Sequence, residues 1–133
     1  MLKLFRNRQP LSVILWADAG IEFLVAILCF ALAGPASNWL GLEQGTLYVA
    51  GVVFAVAGIA IIPLARKPSP VAVTGLAWAN IIGGGAAWVV LVLAWGTIAA
   101  EGRWVLAAVA DSFIVLGIAE LLALRRLRQS AFE

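Results

Sequence analysis

The sequence has no histidine and a single cysteine. Without histidine it lacks the usual haem axial ligand, the usual zinc ligand and the commonest general base. No metal site and no cofactor is therefore expected. Cys29 alone cannot form an internal disulfide. Between Ile27-Leu28 and Phe30 it reads as an inert core or lipid-facing thiol. Charge is also scarce, at 12% of 133 residues, where soluble domains carry about 25%. No nucleophile–base set, phosphate loop or cofactor motif is visible, so an enzyme is not expected. With so little extramembrane mass, neither is nucleic-acid binding.

What is present is apolar: 64% of the residues are hydrophobic and the mean hydropathy is +1.05. Four segments each approach the roughly 20 residues that span a bilayer as a helix. They cover about 11–33, 46–65, 71–95 and 103–124. Their continuous apolar character, without strand-like alternation, makes helices the spanning form. The expected fold class is all-α, a four-transmembrane-helix bundle forming a single membrane domain over residues 1–133. Punctuation falls at the joints: Gly34-Pro35, the stretch from Pro63 to Pro70, and Gly96 to Gly102. Lys3, Arg6 and Arg8 followed by an apolar run could suggest a signal peptide. That run exceeds the usual h-region of about 7–15 residues, so it reads as a retained helix.

The basic residues set the orientation. Lys3, Arg6 and Arg8 precede the first segment, Arg66 and Lys67 follow the second, and Arg125, Arg126 and Arg128 follow the fourth. Four spans put these eight of the nine basic residues on one side and only Arg103 on the other. The positive-inside rule then places both termini in the cytoplasm. Trp39, Tyr48, Trp95 and Trp104 fall at the opposite ends of the helices, as interfacial anchors. The loop Ser37-Asn38-Trp39-Leu40-Gly41-Leu42 is expected along that surface, with room for a short turn of helix.

Two readings stay open for a recurring pattern: two related hairpins, or a chance likeness, since Gly, Ala, Ile and Val dominate every membrane helix. Trp16-Ala17-Asp18 recurs as Trp78-Ala79-Asn80. Phe54, Val56, Gly58-Ile59-Ala60 and Arg66-Lys67 recur as Phe113, Val115, Gly117-Ile118-Ala119 and Arg125-Arg126. Both hairpins enter from the same side, so the repeat is parallel. Small residues offer close helix packing at Gly51, Ala55 and Gly58 in the second helix and at Gly83 and Ala87 in the third. The run Gly83-Gly84-Gly85 leaves a kink or a small cavity open as an alternative.

The acids pose the functional question. Asp18 and Glu22 sit four residues apart in the first segment and share a helical face. At helical rise Asp18 lies about 10 Å deep, Glu22 and Asn80 about 17 Å, Asp111 about 21 Å and Glu120 about 8 Å. An ionised acid at the bilayer centre costs roughly 2.5–3.5 kcal/mol. No Lys or Arg lies deep within a span to offset it; Arg103 stands at the very start of the fourth. A protonated, hydrogen-bonded carboxyl gives helix-packing glue; a hydrated or cation-binding one gives a path for protons or substrate. Both readings stay open. Asp18, Glu22, Asn80 and Asp111 form the candidate polar or proton site. Glu120, out of phase with Asp111 and shallow, is expected to pair at the surface with Arg125 or Arg66.

Ala17-Asp18, Trp39-Leu40-Gly41-Leu42, Pro63-Leu64-Ala65-Arg66-Lys67-Pro68, Asn80 with Trp88, and Ala119-Glu120-Leu121 together carry a resemblance. The chain resembles a loose group of uncharacterised small bacterial four-helix integral membrane proteins. That resemblance implies a bacterial inner-membrane setting and no mechanism. It is also superficially similar to small multidrug-resistance transporters, with Glu22 as the membrane acid. The one-sided charge departs from the dual-topology dimers of that family. The function expected first is non-enzymatic helix association in the membrane, as a homo-oligomer or an accessory subunit. The alternative is a proton- or cation-coupled transporter or channel-like oligomer using Glu22 and Asp111. Partners are the lipid bilayer and other membrane subunits.

Overall fold

A computed structural model describes residues 2–129, with side chains described from Pro10 onward. Five helices follow one another: α1 (Leu2–Ala31), α2 (Ala33–Leu40), α3 (Gln44–Arg66), α4 (Pro70–Leu93) and α5 (Ala100–Gln129). Four of them carry stretches long and apolar enough to cross a bilayer: Pro10–Ala31, Gln44–Arg66, Pro70–Leu93 and Ala100–Gln129. The protein is an all-α, multi-pass membrane protein, with no strand among the described residues.

The helix ends differ from expectation for local reasons. α1 begins well before Leu11 and carries Pro10 inside it. It ends at Ala31, ahead of Gly34-Pro35, and Pro35 falls in the first turn of α2, where a missing N–H costs nothing. α2 is the short helix for which the loop left room. Gly41 caps it in the left-handed conformation, with φ 67°, and its N–H donates to Ser37 O. α3 runs through Pro63 and stops at Arg66, and Pro70 opens α4 at its first position. α5 continues past Leu124, so Arg125, Arg126 and Arg128 lie on the helix, as good helix formers can.

α1 packs mainly on α3, and α4 on α5. The two hairpins then meet chiefly along α1 and α5. At one end Leu11, Leu15 and Ala19 of α1 pack with Ile61 and Ala65 of α3, Val73 of α4, and Ala123 and Leu124 of α5. Ser12 Oγ donates to Ala65 O at 2.7 Å across the same layer. The first turns of the α1 span, the α3–α4 connection and the end of α5 therefore share one end of the bundle. Arg66, Lys67, Arg125, Arg126 and Arg128 are placed there. The side chains of Lys3, Arg6 and Arg8 lie outside the described residues. At the other end, Ala99 N donates to Trp39 O at 2.8 Å and ties α2 to the start of α5.

The lipid-facing surface is apolar because its solvent is hydrocarbon. Val13, Ile27, Val52, Val71, Ile82, Leu93 and Val115 are all exposed. Cys29 is half-buried and free.

Positions related by the sequence repeat meet each other. Asn80 Nδ2 donates to Asp18 Oδ2 at 3.0 Å. The rings of Phe54 and Phe113 stack with centroids 5.9 Å apart and planes 8° apart. Burial recurs in step: Leu11 with Val73, Leu15 with Ala77, and Glu22 with Gly84 on the first helices of the hairpins. On the second helices Gly51 matches Ala110, Gly58 matches Gly117, Ile61 matches Glu120, and Ala65 matches Leu124. These matched positions thus meet at the junction of the two hairpins.

The candidate functional site

One turn of α1 after Leu15 brings Asp18, and the next brings Glu22. The buried positions Leu11, Leu15, Asp18, Glu22 and Val25 follow a spacing of three or four residues. The same rule buries Val73, Ala77, Asn80 and Gly84 on α4 and Phe113, Gly117, Glu120 and Leu124 on α5. The polar members of these three faces converge. Asp18 and Glu120 are 0% exposed, and Glu22 and Asn80 are 5% exposed. Asp18 is bonded to Asn80. Glu120 lies against both Asp18 and Asn80. Glu22 adjoins Asp18.

This cluster is not hydrogen-bond satisfied. Asp18 Oδ1, Glu22 Oε2 and both carboxyl oxygens of Glu120 have no donor. Among the described residues, Asn80 is the donor that reaches into the group. A buried polar atom without a partner costs roughly 1–3 kcal/mol. A proton on one carboxyl changes the pattern, since it becomes a donor to its neighbour. Among the described residues, no group of three or more His, Cys, Asp and Glu is arranged to hold a metal ion.

Apolar layers bound the cluster on both sides. Toward the basic end lie Leu11, Leu15, Ala65, Val73 and Leu124. Toward the other end lies the Phe54–Phe113 stack. Phe113 stands seven residues before Glu120, about 10 Å along α5.

Asp111 does not join this group. It is exposed on the outer flank of the α4–α5 hairpin, and its Oδ1 accepts Trp88 Nε1–H at 2.8 Å. Glu120 takes the interior place instead of a surface ion pair. Arg66 and Arg125 are exposed, and neither carboxyl oxygen of Glu120 receives a donor from them. The two acids do face different ways, as their spacing requires; the inward one is Glu120. The signal for it is its place on the Phe113-Gly117-Glu120-Leu124 face. Depth counted from Arg125 hides that signal.

The small-residue contacts also shift by one position. A Cβ at Gly51 would lie 2.9 Å from Phe30, and one at Gly58 would lie 3.1 Å from Phe23. Ala55 and Ala87 are half-buried. Gly83, expected at a packing face, points into open space. Gly84, a further 100° around α4, is the residue pressed on α5: a Cβ there would lie 2.6 Å from Ala110 O. Of the aromatic residues at the outer end, Tyr48, Trp95 and Trp104 are exposed, with Trp104 the most open at 79%. Trp39 is half-buried, with its backbone packed on Gly102. Arg103 lies over the Trp95 ring at 4.7 Å, and its Nε donates to Ile98 O at 2.8 Å.

No protein-family model, no curated protein and no solved structure matches the chain.

Proposed function

We propose that this multi-pass membrane protein is a non-enzymatic, proton-coupled transporter that handles protons at the junction of its two hairpins. The observation that carries this reading is the burial of Asp18, Glu22 and Glu120 with Asn80, leaving four carboxyl oxygens without donors. Ionisable groups inside a membrane domain mark proton or ion pathways by default. Here they sit between halves that are each packed internally and meet along one seam. Small rocking of one hairpin on the other would admit water from either side of the Phe54–Phe113 and Leu15–Leu124 layers. Glu120 is the central proton carrier, Asp18 its partner, Asn80 the fixed donor and Glu22 the next station outward. With its basic end cytoplasmic, the protein sits in a bacterial inner membrane with the α3–α4 connection inside.

The test is acid-driven flux in proteoliposomes. Wild-type protein dissipates an imposed pH gradient, alone or with a co-transported solute. Glu120→Gln and Glu22→Gln keep the bundle, because an amide still hydrogen-bonds, and abolish the flux. Flux that survives both substitutions rejects the reading.

A second reading, association with a second copy or with another membrane subunit, is favoured by a separate observation. Asp111 presents its carboxyl, bonded to Trp88, on a face turned away from the other hairpin. A lipid-exposed carboxyl at that depth is costly, and a subunit contact would cover it. Asp111→Leu should leave the folded chain intact and lower its oligomeric state in mild detergent. Unchanged assembly rejects this reading.

A further inference from the structure

On the outer side of the seam between α1 and α5, near the basic end, a partly open groove of about 430 Å³ is lined by Pro10, Ile14, Ala119, Leu122, Ala123 and Arg126, with Leu127 at its edge. We propose that this groove is a binding site for one anionic phospholipid, with the acyl chain in the trough and the phosphate on Arg126.

The geometry derives from the helix period. Ala119, Leu122, Ala123 and Arg126 recur at three- and four-residue steps and form one face of α5. The two alanines leave the floor low, and Leu122 makes a wall. Pro10 and Ile14, one turn apart on α1, make the opposite wall. From Ala119 to Arg126 the trough runs about 10 Å along the helix. Among the described residues its lining side chains are apolar along that length, with Arg126 at the end. This gradient fits an acyl chain below a headgroup and does not fit a polar solute. A trough on the face of a membrane protein is filled by the solvent around it, which is lipid. The guanidinium selects which lipid. Arg126 is exposed and has no ion-pair partner among the described residues. Its planar fork can hold two phosphate oxygens at once. Basic pockets between transmembrane helices at the cytoplasmic side recognise anionic headgroups in this way.

The full-length protein, purified in mild detergent, can be offered equal amounts of phosphatidylglycerol and phosphatidylcholine and weighed by native mass spectrometry. Wild type should retain phosphatidylglycerol preferentially. Arg126→Gln should reduce that preference about fivefold, the worth of one basic residue near an anionic headgroup. Arg128→Gln, which removes an exposed charge outside the groove, should leave it unchanged. Leu122→Trp, which fills the trough from its wall, should lower retention of both lipids. Equal retention of the two lipids by wild type overturns the proposal. So does an equal loss in Arg126→Gln and Arg128→Gln, which would indicate a diffuse basic field and no groove. The outcome does not depend on whether the interior acids carry protons.

Discussion

The two hairpins share a pattern and use their glycines differently. In the first, rings of α1 sit on glycines of α3: Phe30 lies over Gly51 and Phe23 over Gly58. In the second, α4 and α5 touch backbone to backbone. A Cβ at Gly84 would lie 2.6 Å from Ala110 O, and one at Gly117 would lie 2.5 Å from Ala77 O. The matched glycines Gly58 and Gly117 thus do different work: one receives a flexible side-chain tip, the other a rigid carbonyl. The acids divide unevenly too. Glu22 occupies the place that Gly84 holds in the second hairpin, and Glu120 the place that Ile61 holds in the first. The paired framework brings Asp18 and Asn80 together, and departures from it supply the two glutamates. The glycines of one hairpin face side chains, and those of the other face backbone.

That contrast breaks first at the glycines. Gly117→Ala and Gly84→Ala should each destabilise the folded protein by about 1–3 kcal/mol, because the new methyl meets backbone. A thermal unfolding series in detergent measures this, and a small effect would mean that α4 and α5 can separate freely. The seam comes next. Phe54→Ala and Phe113→Ala, taken singly and together, should show a coupling of about 0.5–1.5 kcal/mol from the stacked rings. Zero coupling would mean that the counterparts do not meet. Asn80→Leu should cost about 0.6 kcal/mol, the average for a polar contact between membrane helices. Asp18→Asn combined with Asn80→Asp should restore most of that stability, since the pair sits between like halves. Gly58→Ala should have the smallest effect. The Phe23 ring can give way, and the helix gains roughly 0.5–1 kcal/mol from replacing glycine. An equal loss at Gly58 and Gly117 would erase the distinction between the hairpins.

Length and apolarity are properties of each whole span and survive errors at its ends, so the four crossings are legible in composition alone. Asn80 is legible as a partner of Asp18 because the two occupy matching places in the repeat. Glu120 is not, as long as its depth is counted from Arg125 as though the helix stopped there; α5 runs on to Gln129. Depth says how far a residue lies along the membrane normal; only helical phase says which way it faces. Extending the repeat from Phe113 and Gly117 by three residues places Glu120 on the inner face. Gly83 and Gly84 differ only in phase as well. Three glycines in a row carry no side chains to mark it, and the neighbouring Asn80 and Ala77 settle it.

The central claim is that the carboxyls of Asp18, Glu22 and Glu120 exchange protons. Infrared difference spectroscopy of the protein in lipid across a pH titration observes this directly. A protonated-carboxyl band should lose intensity as pH rises, and Glu120→Gln should remove part of that change. A carboxyl band that stays constant across the whole titration, in wild type and in Glu120→Gln alike, would show that the interior acids keep their protons and serve only to hold the helices together.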